Sequence, residues 1–125
     1  MKTEFACVIK CMDGRIQNVV SAYMRKKFNV PYIDAITVAG PVKVLAENKK
    51  DQILNDLKFR AGISVNAHKS EVIAVCGHFD CAMVYATDEE QIEMVHQAVK
   101  NVSTWFENVT VIGLFVNSDL EVFEV

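Results

Sequence analysis

Side chains capable of metal and acid–base chemistry follow two apolar runs of this chain. Cys11, Asp13 and Arg15 follow a run near the N-terminus, and His78 and Cys81 follow a second run in the middle. Thiolate and imidazole are ligands that zinc prefers, and a catalytic zinc site keeps one position of its tetrahedron open for water. Cys11, His78 and Cys81 would supply three ligands. These residues therefore predict one zinc site built from two strand ends.

The spacing of these residues is compatible with one site. His78 and Cys81 are three residues apart, so a turn or a first helical turn after the strand would bring both side chains to one side. If residues 11–15 stay extended, Cys11, Asp13 and Arg15 share a face, because side chains alternate along a strand. Cys11 must then arrive from a strand that neighbours the one before His78.

The elements that position these residues are predicted from apolar runs and helical periodicity. The order is β-α-β-α-β-α-β-β, with strands predicted over 4–10, 34–38, 71–76, 109–116 and 120–125. Helical patterns run over 16–28, over 42–64 with a bend or break near 48–51, and from a capping box at Thr87 and Glu90 to about Asn108. Such alternation predicts an α/β fold with a mostly parallel central sheet, flanking helices and an antiparallel last strand at the edge.

Composition limits the classes of protein to consider. With 125 residues, of which 51% are hydrophobic, the chain is predicted to form a single domain over residues 1–125. A net charge of −3 with interspersed signs gives no basic face for nucleic acid and no membrane anchor. A small-molecule substrate or a second copy of the chain is the expected partner. Without an N-terminal leader or a long apolar run, we expect a cytoplasmic location.

The two remaining cysteines have a simpler interpretation. Cys7 and Cys76 lie inside apolar runs, where free cysteine behaves as a small buried hydrophobe. In a cytoplasmic α/β protein, disulfides are not expected. We therefore predict that Cys7 and Cys76 are structural.

The paired motifs resemble those of the β-class carbonic anhydrases. That family carries Cys-x-Asp-x-Arg and His-x-x-Cys, which here are residues 11–15 and 78–81. The strand order and the final segment, 109–125, are also similar. The resemblance implies that Cys11, His78 and Cys81 bind Zn²⁺ and that Asp13 and Arg15 form a catalytic dyad beside it. It also implies a homodimer or a multiple of dimers, with the site near the subunit interface.

The activity implied by the resemblance is the reversible hydration of carbon dioxide to bicarbonate by a metal-bound hydroxide. Asp13 would accept the hydrogen bond of the hydroxide, and Arg15 would hold Asp13 ionised through a bidentate pair. Alternatively, Asp13 rotates away from Arg15 and becomes the fourth ligand, which closes the site. The chain would then be a non-catalytic zinc-binding domain. An alternative within the same chemistry is a hydrolase of a related small substrate such as carbonyl sulfide or carbon disulfide. Thiol redox chemistry at Cys11 and Cys81 is less favoured, because the chain has no Cys-x-x-Cys motif.

Several of these residues also have ordinary structural interpretations. Asp13 could cap the helix that begins near Ile16, and Arg15 could be a solvated residue of its first turn. Asp80 is expected to form a turn. His68 and His96 are expected to be surface residues.

Overall fold

The computed structural model describes residues 3–125 and shows an alternation of strands and helices. Its elements are β1 (Phe5–Cys11), α1 (Gln17–Phe28), β2 (Tyr32–Val38), α2 (Pro41–Glu47), α3 (Gln52–Asn66), β3 (Val72–His78), α4 (Asp88–Val102), β4 (Thr110–Val116) and β5 (Val122–Glu124). The strands form one sheet in the order β2-β1-β3-β4-β5. β5 is antiparallel to β4 and all other pairs are parallel. The predicted fold class is confirmed.

Helices cover both faces of this sheet. On one face, Leu45 of α2, Leu57 of α3 and Val95 of α4 pack in one apolar cluster. On the other face, Val20 and Met24 of α1 belong to a second cluster. β3 lies in the middle of the sheet and is buried along its whole length. Its continuous apolar sequence is therefore that of a strand covered on both faces, as predicted.

The ends of one strand and one helix differ from the sequence prediction. β3 continues through Gly77 to His78 because Gly77 still pairs with Phe115 of β4. The stretch over 42–64 forms two helices with the break where it was predicted, since Asn48 ends α2 in the left-handed conformation and Asp51 caps α3.

The helix predicted to reach Asn108 ends at Val102 instead. The hydroxyl of Ser103 donates to the Val99 carbonyl and that of Thr104 donates to the Asn101 carbonyl. The backbone N–H groups of Thr104 and Trp105 donate to the carbonyls of Asn101 and Val102, three residues back, and this tighter turn ends the α-helix.

The capping box at the start of α4 is present as predicted. The Thr87 hydroxyl accepts from the Glu90 N–H at 3.1 Å, and the Glu90 carboxylate accepts from the Thr87 N–H at 2.9 Å.

We expect Thr87→Ala to lower the free energy of unfolding by about 1 kcal/mol, because one helical N–H loses its acceptor. Urea unfolding measures this change. Thr87→Ser keeps the hydroxyl and should retain most of the stability; an equal loss in both variants would contradict the capping role.

No helix within residues 3–125 combines the length and the apolar character needed to cross a membrane.

Candidate metal centre

A crevice opens between β1 and β3 at their carboxyl ends. The two strands pair from Cys7–Ile73 to Ile9–Val75. β1 then stays paired with β2 as far as Cys11–Val38, while no further pair joins it to β3. Carboxyl ends of parallel strands are where open α/β sheets place their sites. The prediction that Cys11 comes from the strand beside His78 is confirmed.

Cys11, His78 and Cys81 converge in this crevice. Their ligand atoms, two sulfurs and one ring nitrogen, all lie within 4.8 Å of one another. Ligands of a tetrahedral zinc site lie roughly 3.5–3.8 Å apart, given Zn–S of about 2.3 Å and Zn–N of about 2.0 Å. A small inward movement would therefore complete the coordination. No other group of three or more potential ligands of this kind occurs in the part of the chain that the structure describes.

The chain brings Cys81 back toward His78 through a turn. Phe79 and Asp80 form this turn, and Asp80 has a positive φ of 48°. The turn that was expected between the two ligands is therefore present, and Asp80 forms it as predicted. Cys11 and His78 are buried, whereas Cys81 is partly exposed and lies on the solvent side.

One nitrogen of the His78 ring lacks a partner. Nδ1 lies 2.6 Å from the Phe79 carbonyl oxygen, so this nitrogen carries the hydrogen and donates it. Nε2 then bears the lone pair, and it is buried with no hydrogen-bond partner, alone in this respect among the buried side-chain nitrogens and oxygens of residues 3–125. A buried polar atom without a partner is costly, and metal-binding histidines commonly donate their other N–H to a carbonyl. The ring is thus arranged for a metal ion.

The electrostatics of the site favour a bound cation. Burial lowers the pKa of His78 and keeps the ring neutral, which is the form that binds metal. Burial also raises the pKa of the Cys81 thiol, with a smaller contribution from neighbouring Cys11. Two adjacent thiolates repel each other unless a positive charge lies between them. A divalent ion would supply that charge, so the donor set and its environment fit zinc.

Asp13 and Arg15 meet, although by a different route from the one expected. Residues 14–16 form a turn and are not extended, so the shared face of a strand does not explain the pair. Arg15 Nε and Nη2 donate to the two Asp13 oxygens at 3.1 and 2.7 Å, and the Arg15 backbone N–H donates to Oδ1 at 2.9 Å. These bonds, mainly those of the guanidinium, lower the pKa of Asp13 to about 2.

The alternative role of Asp13 as a helix cap does not hold. The residue at the N-cap of α1 is Ile16, and no side chain caps the helix there. The Asp13 carboxylate faces Arg15 and is not among the clustered ligand atoms. Gln17 fixes the loop by donating from Nε2 to the Cys11 and Asp13 carbonyls at 3.0 and 2.6 Å.

Arg15 also joins the two strand ends. Its guanidinium lies 4.5 Å from the centre of the Phe79 ring, and Nη2 donates to the Asp80 carbonyl at 3.2 Å. A weaker contact of 3.4 Å reaches the Asp80 carboxylate. Arg15 is therefore not a merely solvated residue.

Two polar residues next to the candidate ligands were not predicted from the sequence. Lys10 precedes Cys11 and is only 2% exposed, and Gln91 of α4 is equally buried beside His78. Gln91 lies four residues before Val95 on the buried stripe of its helix. A glutamine in an apolar stripe is the signal that could have revealed it.

His68 is exposed, as expected for a surface residue, but it also makes specific contacts. Its Nδ1 lies 2.6 Å from an Asp34 oxygen, and its ring stacks on Phe5 at 4.0 Å. It lies at the amino-terminal end of β3, away from the metal centre. His96 is exposed and contacts Glu93 at 3.4 Å, as expected for a surface residue.

Cys7 and Cys76 are fully buried, and burial raises the pKa of each thiol to about 12.

Comparison with known proteins gives one family and one fold. A family model described as "Putative carbonic anhydrase" matches residues 1–125. Beta-carbonic anhydrase isoform I from Trichomonas vaginalis aligns with a TM-score of 0.66 and 16% identity, over 98% of this chain and 81% of that one. A carbonic anhydrase from Streptococcus mutans gives 0.64 and 16%, over 99% and 82%. Tetrameric beta-carbonic anhydrases from Sordaria macrospora give 0.59 and 13%, over 98% and 80%. No curated protein sequence matches significantly.

Proposed function

Because this chain belongs to the carbonic anhydrase family whose model spans all 125 residues, we propose that it is a zinc enzyme that reversibly hydrates carbon dioxide to bicarbonate. The observation that carries this proposal is the free, buried Nε2 of His78 beside the thiols of Cys11 and Cys81. These three side chains would hold the metal. When bound, zinc would lower the pKa of a coordinated water toward about 7 and so supply hydroxide at neutral pH.

Asp13 would orient the nucleophile by accepting its hydrogen bond. A carboxylate with a pKa of about 2 stays ionised at neutral pH, so it accepts hydrogen bonds and donates none. For the same reason Asp13 is a poor store for the proton that is released, which must leave through water or buffer. Arg15 holds the carboxylate in one orientation through its two-pronged contact.

A small substrate would approach the centre from the side of Cys81, which is the partly exposed candidate ligand. A depression of about 340 Å³ borders Cys81. Its lining consists of Asp80, Cys81, Ala82, Val84, Tyr85 and Ala86. Carbon dioxide is small and apolar, and it needs little more than a passage beside the partly exposed ligand.

We further propose a cytoplasmic homodimer or a multiple of dimers. All four cysteines are unpaired, which suits a reducing compartment. Large apolar side chains are exposed close to the ligands, among them Met12, Met83 and Tyr85. A second subunit would cover them, and the similar enzymes of S. macrospora are tetrameric.

Metal analysis combined with stopped-flow assay tests the proposed function. We expect one zinc per chain in reduced protein and carbon dioxide hydration above background between about pH 7 and 9, where a water on zinc ionises. One zinc without hydration would favour a site closed by Asp13, and turnover of carbonyl sulfide or carbon disulfide alone would identify a related hydrolase. Absence of zinc and of zinc uptake would contradict the proposal.

A further inference from the structure

Gln91 makes two hydrogen bonds to the main chain of His78. Its Oε1 accepts from the His78 N–H at 2.8 Å, and its Nε2 donates to the His78 carbonyl at 2.7 Å. The side chain is 2% exposed, and the other buried residues of α4 are Val95, Ala98 and Val102. A polar group at such a position must be satisfied by protein atoms. The only side-chain amide in this buried stripe therefore makes its hydrogen bonds to the backbone of the proposed metal ligand His78.

These two bonds replace a missing strand contact. The Phe79 N–H donates to the Val116 carbonyl of β4, so the N–H and C=O of His78 point to the other side, toward β1. The last pair between β1 and β3 is Ile9–Val75, three residues before His78. The side-chain amide of Gln91 pairs with His78 as a neighbouring strand would.

Gly77 leaves the space that this arrangement needs. A Cβ at Gly77 would lie 2.9 Å from Gln91 Oε1 and 2.9 Å from a methyl group of Val95. Any side chain there would push the amide away from His78. The absence of a side chain at Gly77 therefore lets the Gln91 amide pack against β3 beside His78.

We propose that Gln91 is a positioning residue that holds His78 in the geometry required for metal binding. The crevice that admits a metal exists because β1 leaves β3, and this separation also removes the bonds that would fix the His78 backbone. Gln91 restores them from α4, while the Phe79 carbonyl fixes the ring. Backbone and ring are then both set, and only Nε2 stays free to bind. The inference rests on the proposed metal site and not on the proposed catalysis.

Cobalt(II) affinity of Gln91→Met measures this role. Methionine fills a similar volume and makes neither bond, so we expect cobalt(II) to bind about 10- to 100-fold more weakly, as for other residues that support metal ligands. Binding is followed by the visible absorption of the cobalt–thiolate centre. Gln91→Leu provides a second variant with the same expected loss.

Two control variants on α4 separate positioning from stability. Gln97→Met makes the same chemical change at an exposed position and should bind cobalt(II) as the wild type does. Val102→Ala creates a cavity at the buried end of the helix; it should lower the unfolding midpoint of the metal-free protein and leave the cobalt(II) affinity unchanged. A Gln91→Met variant that loses stability but binds cobalt(II) with wild-type affinity would overturn the inference. A wild type that binds no metal would instead contradict the proposed function.

Hydrogen exchange tests the same coupling in the unmodified protein. If Gln91 favours the metal-binding geometry of His78, bound metal must stabilise the Gln91–His78 pair by the same factor, because coupling is reciprocal. We therefore expect zinc to slow exchange of the Gln91 side-chain amide and the His78 N–H about 10-fold or more. The Thr110 N–H, which donates to the Glu71 carbonyl at the opposite end of the sheet, serves as the internal reference. Exchange of the Gln91 amide that is unaffected by zinc would refute the inference even if neither variant folds.

Discussion

Cys81→Ser should lose stoichiometric zinc while the protein stays folded. If the roughly 10–16 kcal/mol of a structural zinc site is shared among four ligands, each contributes about 3 kcal/mol, so the affinity should fall roughly 100-fold or more. Serine does not ionise near neutral pH and is a poor ligand for zinc. Cys81 follows the turn after β3 and is partly exposed, so its replacement leaves no cavity in the core. Zinc content after dialysis against a weak chelator measures the loss.

Cys76→Ala is the matched control for this result. It also removes one thiol from the same part of the chain, but from a fully buried position in β3. We expect it to lower stability modestly and to keep one zinc per chain. If Cys81→Ser retained zinc and Cys76→Ala lost it, the ligand set would have to be revised.

The sequence was sufficient to predict the fold class and the proximity of the three candidate ligands. Apolar runs that alternate with helical patterns are compatible with few folds other than a parallel sheet covered by helices. In the observed sheet β1 and β3 are adjacent. Cys11 and His78 each stand at the end of such a run, so strand pairing alone brings them to one edge. Cys81 needed only a local turn, for which Asp80 is well suited.

The details that depend on three-dimensional packing were not predictable. No local pattern reveals that β1 and β3 separate after Ile9–Val75, because each strand continues past that pair. The hydrogen bonds of Gln91 to His78 could not be predicted without knowing that β1 and β3 separate there. The strand predicted over 71–76 stops before Gly77, whereas Gly77 is paired within β3 at a place where helix and strand approach closely.

The Asp13–Arg15 contact was predicted correctly from the motif, although the backbone conformation expected for it was wrong. An extended segment was expected to align the two side chains, and a turn over 14–16 does so instead. The turn adds a bond from the Arg15 backbone N–H to the Asp13 carboxylate, which a strand would not form. Spacing alone therefore predicted which side chains meet, but the backbone path was decided by the start of α1.

Arg15→Ala should reduce carbon dioxide hydration at least about 100-fold while zinc stays bound, since misplacement of a catalytic group by about 1 Å has an effect of that size. The variant removes both guanidinium contacts that fix Asp13. The pKa of Asp13 would then rise toward the ordinary value of about 3.9. The carboxylate would still be ionised at neutral pH. The loss should therefore be equally large at pH 7 and pH 9, because orientation and not charge has changed. Stopped-flow rates and zinc content measure the two quantities.

Three comparison variants assign this loss to the Asp13 contact. Arg15→Lys keeps the charge but cannot donate to both oxygens, so it should recover only a small part of the rate. Asp80→Asn removes the weak 3.4 Å contact with Arg15 while asparagine tolerates the positive φ, and we expect a minor effect. Arg60→Ala breaks an exposed ion pair with Asp56 on α3 and should leave the rate unchanged. Full activity in Arg15→Ala would mean that Arg15 does not orient Asp13 for catalysis, and an equal loss in Asp80→Asn would mean that Arg15 acts by joining the two strand ends.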